Sequence, residues 1–114
     1  MARIYIHGAE VPVSLMDGDL LDMRGKGDGI GGLADLEMGI LIRAGMYPGE
    51  QVTTLLHEAG HIALGPEEGA ALSRERFIMC LLRENGADLS WAERIIAEAQ
   101  EEYDAANEDD ADEA

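Results

Sequence analysis

Aromatic side chains are scarce in this chain: one Trp, one Phe and three Tyr make up 4% of its 114 residues. A core must therefore rest on Leu, Ile, Val, Met and Ala, and the 46% apolar content is enough for a single domain. The one cysteine, Cys80, excludes both an internal disulfide and a cysteine zinc cluster. Its neighbours Phe77-Ile78-Met79 and Leu81-Leu82 are apolar, which predicts a buried core thiol and not a nucleophile. Bases are few, 8 against 24 acids, for a net charge of −16. With no basic patch to neutralise phosphates, direct binding to DNA or RNA is not expected. No long apolar run and no signal-peptide pattern is present, so no membrane association is expected and the default address is the cytoplasm.

The acids are unevenly placed. Eight of them lie between Glu101 and Ala114, with no base among them. Such a block repels itself and offers little to bury, which predicts a domain over 1–103 followed by a disordered acidic tail over 104–114. A solubilising tail is the plain reading. A nucleic-acid mimic that binds a basic partner is the sharper one.

Arg3-Ile4-Tyr5-Ile6-His7 alternates like a strand, and Gly8-Ala9-Glu10 reads as a turn. Val11-Pro12-Val13 reads as a short second strand, which Pro12 should keep at an edge. The glycine-rich stretch 25–32 lacks the order of a phosphate loop and reads as a surface loop. Gly39 to Gly45 is the strongest strand candidate. Pro48 then suits the entry to a helix over Glu50–Leu64, ended by Gly65-Pro66. Its predicted apolar stripe is Val52, Leu55, Leu56, Ala59, Ile62 and Ala63, with Thr54, His57, Glu58 and His61 on the opposite face. A second helix is expected over Glu67–Glu84. A third starts at Ser90, with Glu93 completing a capping box. Strands first and helices after predict an α+β domain.

His57-Glu58-Ala59-Gly60-His61 carries the chemistry. Histidines at i and i+4 stand one turn apart on one helix face, where both can grip one Zn²⁺ at ~2.0–2.1 Å. The Glu58 carboxylate follows the first histidine and can serve a water there as general base. No histidine lies downstream, so a third ligand must be a carboxylate. Glu68 is preferred, being nearest the turn between the two helices, and Glu75 and Glu67 follow.

These residues resemble the active-site helix of zincin metallopeptidases. The likeness is greatest to compact gluzincin-like proteins of phages and prophages, akin to the ImmA/IrrE peptidases. It extends to Ile4–Gly8 as an opening strand and turn, to Gly32-Leu33-Ala34-Asp35 as a Gly-x-x-Asp segment, and to Glu68–Asn85 as a second helix. The resemblance implies a minimal zincin with a small, mostly antiparallel sheet packed on the metal helix and two further helices. It implies a zinc metalloendopeptidase in which Glu58 is catalytic, His57, His61 and a glutamate such as Glu68 hold Zn²⁺, and Ile40, Leu41, Ile42 and Arg43 form an edge strand that aligns a peptide or protein substrate. Tyr47 and Tyr103 are the tyrosines to consider as oxyanion donors. Two rival readings stand beside it: a non-catalytic domain stapled by zinc that binds a partner protein, and an acidic antagonist of a basic partner.

Overall fold

The computed structural model describes residues 1–35, 37–64, 78, 81–86, 88 and 90–112. Four strands, β1 (Arg3–Ile6), β2 (Ala9–Met16), β3 (Gly32–Asp35) and β4 (Gly39–Arg43), form one sheet in the order β1-β2-β4-β3. Helix α1 (Gly18–Gly25) joins β2 to the loop before β3, α2 (Pro48–Leu64) follows β4, and α3 is Ser90–Asp112. Residues 81–85 are also helical. The fold is α+β, as expected. The sheet is mixed: β1–β2 and β3–β4 are antiparallel, but β2 and β4 run parallel. Among the described residues, no helix is long and apolar enough to cross a membrane.

Chain reversal between β1 and β2 occurs at His7-Gly8, one residue earlier than the sequence suggested. Ile6 pairs with Ala9, and both intervening residues have positive φ, 50° and 80°. That is the requirement of a two-residue type I′ hairpin, whose twist matches that of the strands it joins.

β2 is an eight-residue interior strand, not a short edge piece. Pro12 is tolerated there because of register. The Val13 N–H donates to the Ala2 carbonyl, so alternate amides face β1 and the Pro12 nitrogen faces the other way. On that side, pairing with β4 begins only at Val13. No ladder bond is lost.

β4 is buried on both faces, with Ile40, Leu41 and Ile42 all at 0% exposure. Ile40 and Ile42 join the main core with Ile4, Val13, Leu55, Trp91 and Ile96. Leu41 alternates to the other face, where α1 packs with its fully buried Leu21. Each such side chain contributes about 1.5–3 kcal/mol on burial.

Ion pairs made by Arg43 and Arg24 fasten α1 to the β3–β4 hairpin. Arg43 Nη1 lies 3.1 Å from Asp22 Oδ1, which also accepts the Ile30 N–H at 2.8 Å. Arg24 Nε donates to Asp35 Oδ2 at 2.6 Å, while Asp35 Oδ1 accepts the N–H groups of Glu37 and Met38. The Arg24 bond and then these two amides hold the Asp35 carboxyl well below the usual carboxylate range. The Ile30 N–H, above all, lowers Asp22. The glycine-rich stretch is therefore a braced connection, ended on the α1 side by Lys26 in the left-handed conformation.

α3 departs from expectation twice. Its first turn is held by Asp88, whose Oδ1 accepts the Ser90 N–H at 2.9 Å. No capping-box bond between Ser90 and Glu93 is present among the described residues; the Ser90 N–H that the Glu93 carboxylate would accept in such a box goes to Asp88 instead. The acidic segment expected to be a disordered tail continues as helix to Asp112. Ala99 and Tyr103 anchor its inner half to the core.

Candidate metal centre

α2 begins at Pro48, where a missing N–H costs nothing. Among its described side chains the buried ones are Gln51, Leu55, Glu58 and Ala59, at 2%, 0%, 8% and 0% exposure. Leu55 and Ala59 were expected inside. Glu58 was expected on the solvent face and Ile62 in the core, yet Ile62 is 39% exposed. The covered face is rotated toward Glu58 because β3 lies over that side of the helix, and Gly32 makes the approach possible. A Cβ at Gly32 would stand 2.4 Å from Thr54 Cγ2, 3.1 Å from the Leu41 carbonyl oxygen and 3.2 Å from Glu58 Cγ. Glu58 is thus held between strand and helix, with a single glycine leaving room for its stem. Gln51, another buried polar residue, donates from Nε2 to the Arg43 carbonyl at the end of β4, 3.4 Å away.

His57 is exposed and His61 half-buried. Their Nε2 atoms are 3.0 Å apart, and the rings meet edge to face at 89° with centroids 4.6 Å apart. Together with Glu58 they place one ligand atom each within 4.8 Å of one another. Two bonds of about 2.0–2.1 Å at a tetrahedral angle separate two nitrogens by roughly 3.3 Å. The observed spacing is within a few tenths of an ångström of that. Two neutral imidazoles can face nitrogen to nitrogen only if one donates its proton, whereas a cation satisfies both lone pairs at once. Two imidazoles with a carboxylate form a donor set suited to zinc and other borderline divalent ions. His57, Glu58 and His61 can therefore hold a metal ion.

The other expected site residues fall in different places. Glu67, Glu68 and Glu75 lie outside the described residues, as does Cys80. Ile40, Leu41, Ile42 and Arg43 do not form an edge. β4 is paired with β2 on one side and β3 on the other, so its backbone groups are spent within the sheet and cannot take up a substrate strand. Arg43 instead uses its side chain to brace Asp22 and the Ile30 carbonyl. Tyr47 precedes His57 by ten residues, about 15 Å along the helix axis, and Tyr103 packs against the core from α3. Neither is brought to the histidines by α2.

The edge beside the metal helix is β3. The Arg43 N–H donates to the Gly31 carbonyl, so Gly32 and Ile42 form a non-hydrogen-bonded pair. The amides and carbonyls of Gly32 and Ala34 consequently point away from β4. This edge was missed in the sequence because the four residues Gly-Leu-Ala-Asp carry little β signal. The Gly31-Gly32 pair was the available clue, since glycines permit close backbone approach, but the stretch was read as a surface loop. Comparison with protein-family models, with curated proteins and with solved structures finds no match, so the likeness to zincins rests on the residues quoted above alone.

Proposed function

We propose that this protein is a zinc-dependent peptidase that hydrolyses a peptide bond in an extended segment of another protein. The observation that carries the reading is the pair of Nε2 atoms 3.0 Å apart on one helix, beside the carboxylate of Glu58. His57 and His61 hold the ion, and Glu68, with Glu75 and Glu67 behind it, is the third ligand that the zincin resemblance implies. Zinc when bound supplies a Lewis acid and lowers the pKa of water. Glu58 acts as general base toward the attacking water, then returns that proton to the departing amine. Its burial under β3 restricts its rotamers and keeps the carboxylate beside the histidines.

The substrate strand aligns on β3. Gly32 and Ala34 offer one amide and one carbonyl each to an added strand, the usual basis of strand-addition recognition. The exposure of His57 favours this reading over a zinc staple, since structural zinc sites are closed by four protein ligands.

The test is elemental analysis of the wild type, His57→Ala and Glu58→Gln, followed by cleavage assays on a library of unstructured peptides. One zinc per chain in wild type and Glu58→Gln, lost in His57→Ala, with cleavage only by the wild type, is the expected result. A wild type that takes up no zinc refutes the metal site. Zinc uptake with no cleavage, and unfolding of His57→Ala, gives the staple reading.

A further inference from the structure

At the sheet edge opposite β3, a cleft of about 310 Å³ opens between β1, residues 84–85 and the first turns of α3. It lies at the lower end of the ~300–1,000 Å³ range of small-molecule sites. Trp91 and Ile95 give it an apolar wall, and Arg3, Arg94, Glu84 and Glu98 supply charge. Three of those four charges are already engaged. Arg3 pairs with Glu10 at 2.8 Å, Glu84 accepts the Gly8 N–H at 2.9 Å, and Glu98 lies 3.3 Å from the Met1 ammonium. Arg94 makes no ion pair and no hydrogen bond among the described residues, although Glu98 stands one helical turn away. The Asp88 carboxyl is held below its usual range first by its bonds from Ser90 and least by the charge of Arg94. The indole N–H of Trp91 is buried and has no acceptor either. A cleft whose one charge uncommitted among the described residues is a guanidinium, set against an indole wall, is unusual in a chain of net charge −16.

We propose that this cleft binds a single carboxylate carried on an apolar body, with the carboxylate on Arg94 and the body against Trp91 and Ile95. Guanidinium and carboxylate match as a two-pronged hydrogen-bonded pair. Glu84 and Glu98 act as the selectivity element: they repel a dianion such as phosphate but tolerate a monoanion. Such a carboxylate belongs either to a small organic acid or to the C-terminal residue of a peptide. The site is separate from the metal centre, because β1 and β3 are opposite edges of the sheet.

Trp91 is the only tryptophan, so its emission reports the cleft directly. The full chain would be titrated with N-acetyl-leucine, with a tripeptide ending in leucine, with the same tripeptide as its C-terminal amide, and with inorganic phosphate. Calorimetry would run in parallel, on wild type, Arg94→Gln and, as a charge control, Arg83→Gln. A saturable emission change with N-acetyl-leucine or the free tripeptide is expected, weakened at least tenfold in Arg94→Gln, unchanged in Arg83→Gln and absent with the amide and phosphate. Tighter binding of the tripeptide assigns the source as a peptide terminus, and equal or tighter binding of N-acetyl-leucine assigns it as a small acid. No saturable change with either acid, equal binding by Arg94→Gln, or binding of the amide or phosphate as tight as that of the acids overturns the proposal. Arg94 is exposed, so loss of fold in its variant is not expected, and circular dichroism checks this.

Discussion

Gly32 is where the fold and the candidate site depend on the same few cubic ångströms. A methyl group there would sit 2.4 Å from Thr54 Cγ2, more than 1 Å inside ordinary contact, and 3.1 Å from the Leu41 carbonyl oxygen. Thr54 can yield part of this by turning χ1, but the Leu41 oxygen belongs to the neighbouring strand and cannot. Overpacking of this kind costs about 1–3 kcal/mol. The structure must relieve it by lifting β3 from α2, which also frees the Glu58 stem 3.2 Å away. Gly32→Ala should therefore lower the urea midpoint by the equivalent of about 1–3 kcal/mol. Thr54→Ala removes the methyl that clashes, so the double variant should recover most of the loss, with a coupling of about 1 kcal/mol or more in a double-mutant cycle. Zinc affinity measured on the same four proteins should fall little, because an added methyl at Gly32 meets Thr54, Leu41 and Glu58 first and not the histidines, whereas any peptidase activity should fall with Gly32→Ala and return with the double variant. Additive stabilities in the cycle would refute the claim that β3 is seated on α2 through Gly32.

Chelation of the bound ion should lower the melting temperature: with free zinc at one hundred times its dissociation constant the ion contributes about 2.7 kcal/mol, on the order of ten degrees for a domain of this size. Glu58→Gln should keep the zinc of the wild type while losing about 10²–10⁴-fold in cleavage rate, read by steady-state kinetics. Asp35 has a folded-state pKa depressed chiefly by Arg24, so its stabilisation is present above the ordinary carboxylate pKa and is lost as pH falls toward the folded value. Asp35→Asn should accordingly lower the urea midpoint at pH 7, by an amount that shrinks steadily as the pH falls below the ordinary carboxylate pKa; a difference that grows in acid would contradict the sign. Leu41→Ala, at a fully buried position, should cost about 2–5 kcal/mol in chemical denaturation.

What was legible in the sequence was local. The alternation of Arg3–Ile6, the apolar run Gly39–Arg43 and the i, i+4 pair His57 and His61 each declare themselves within a few residues, and each forms the element expected. Sheet order is not local. Pro12 argued for an edge, and the argument failed because which neighbour an amide faces depends on where the next strand begins, in this case Val13 opposite Ile40. The same gap placed an edge at Ile40–Arg43, since no property of Gly39–Arg43 tells whether a fourth strand covers it. Glu58 was put on the wrong side of its helix for a related reason. Apolar periodicity marks the face that packs on side chains, while the face that packs on glycine backbone leaves no apolar trace. The helical acidic segment was missed because like charges were weighed without the anchoring of Trp91, Ile96, Ala99 and Tyr103, which start the helix and let it propagate.

The two edges of the sheet are treated differently, and the difference bears on function. An open strand edge invites pairing with other chains. At β1 the invitation is withdrawn: Asn85 Oδ1 accepts the Tyr5 N–H at 3.0 Å, Asn85 Nδ2 donates to the Tyr5 carbonyl at 2.9 Å, and Glu84 takes the Gly8 N–H. One amide side chain thus imitates the residue of an added strand. At β3 no described residue does the same for Gly32 or Ala34, although this edge packs on α2 next to Thr54 and Glu58. A protein with no use for strand addition gains by closing both edges. Closing β1 while leaving free the β3 edge, which packs on α2, suits the alignment of an extended segment that we propose. If that asymmetry serves recognition, a proline-substituted substrate that removes the amides meant for β3 should be cleaved far more slowly than its parent, with the rate loss falling on kcat/KM. Closing β1 has no part in that recognition, so Asn85→Ala should raise self-association or lower stability by about 1–3 kcal/mol without changing that preference. If proline placement makes no difference to cleavage, the free edge of β3 has no part in recognition.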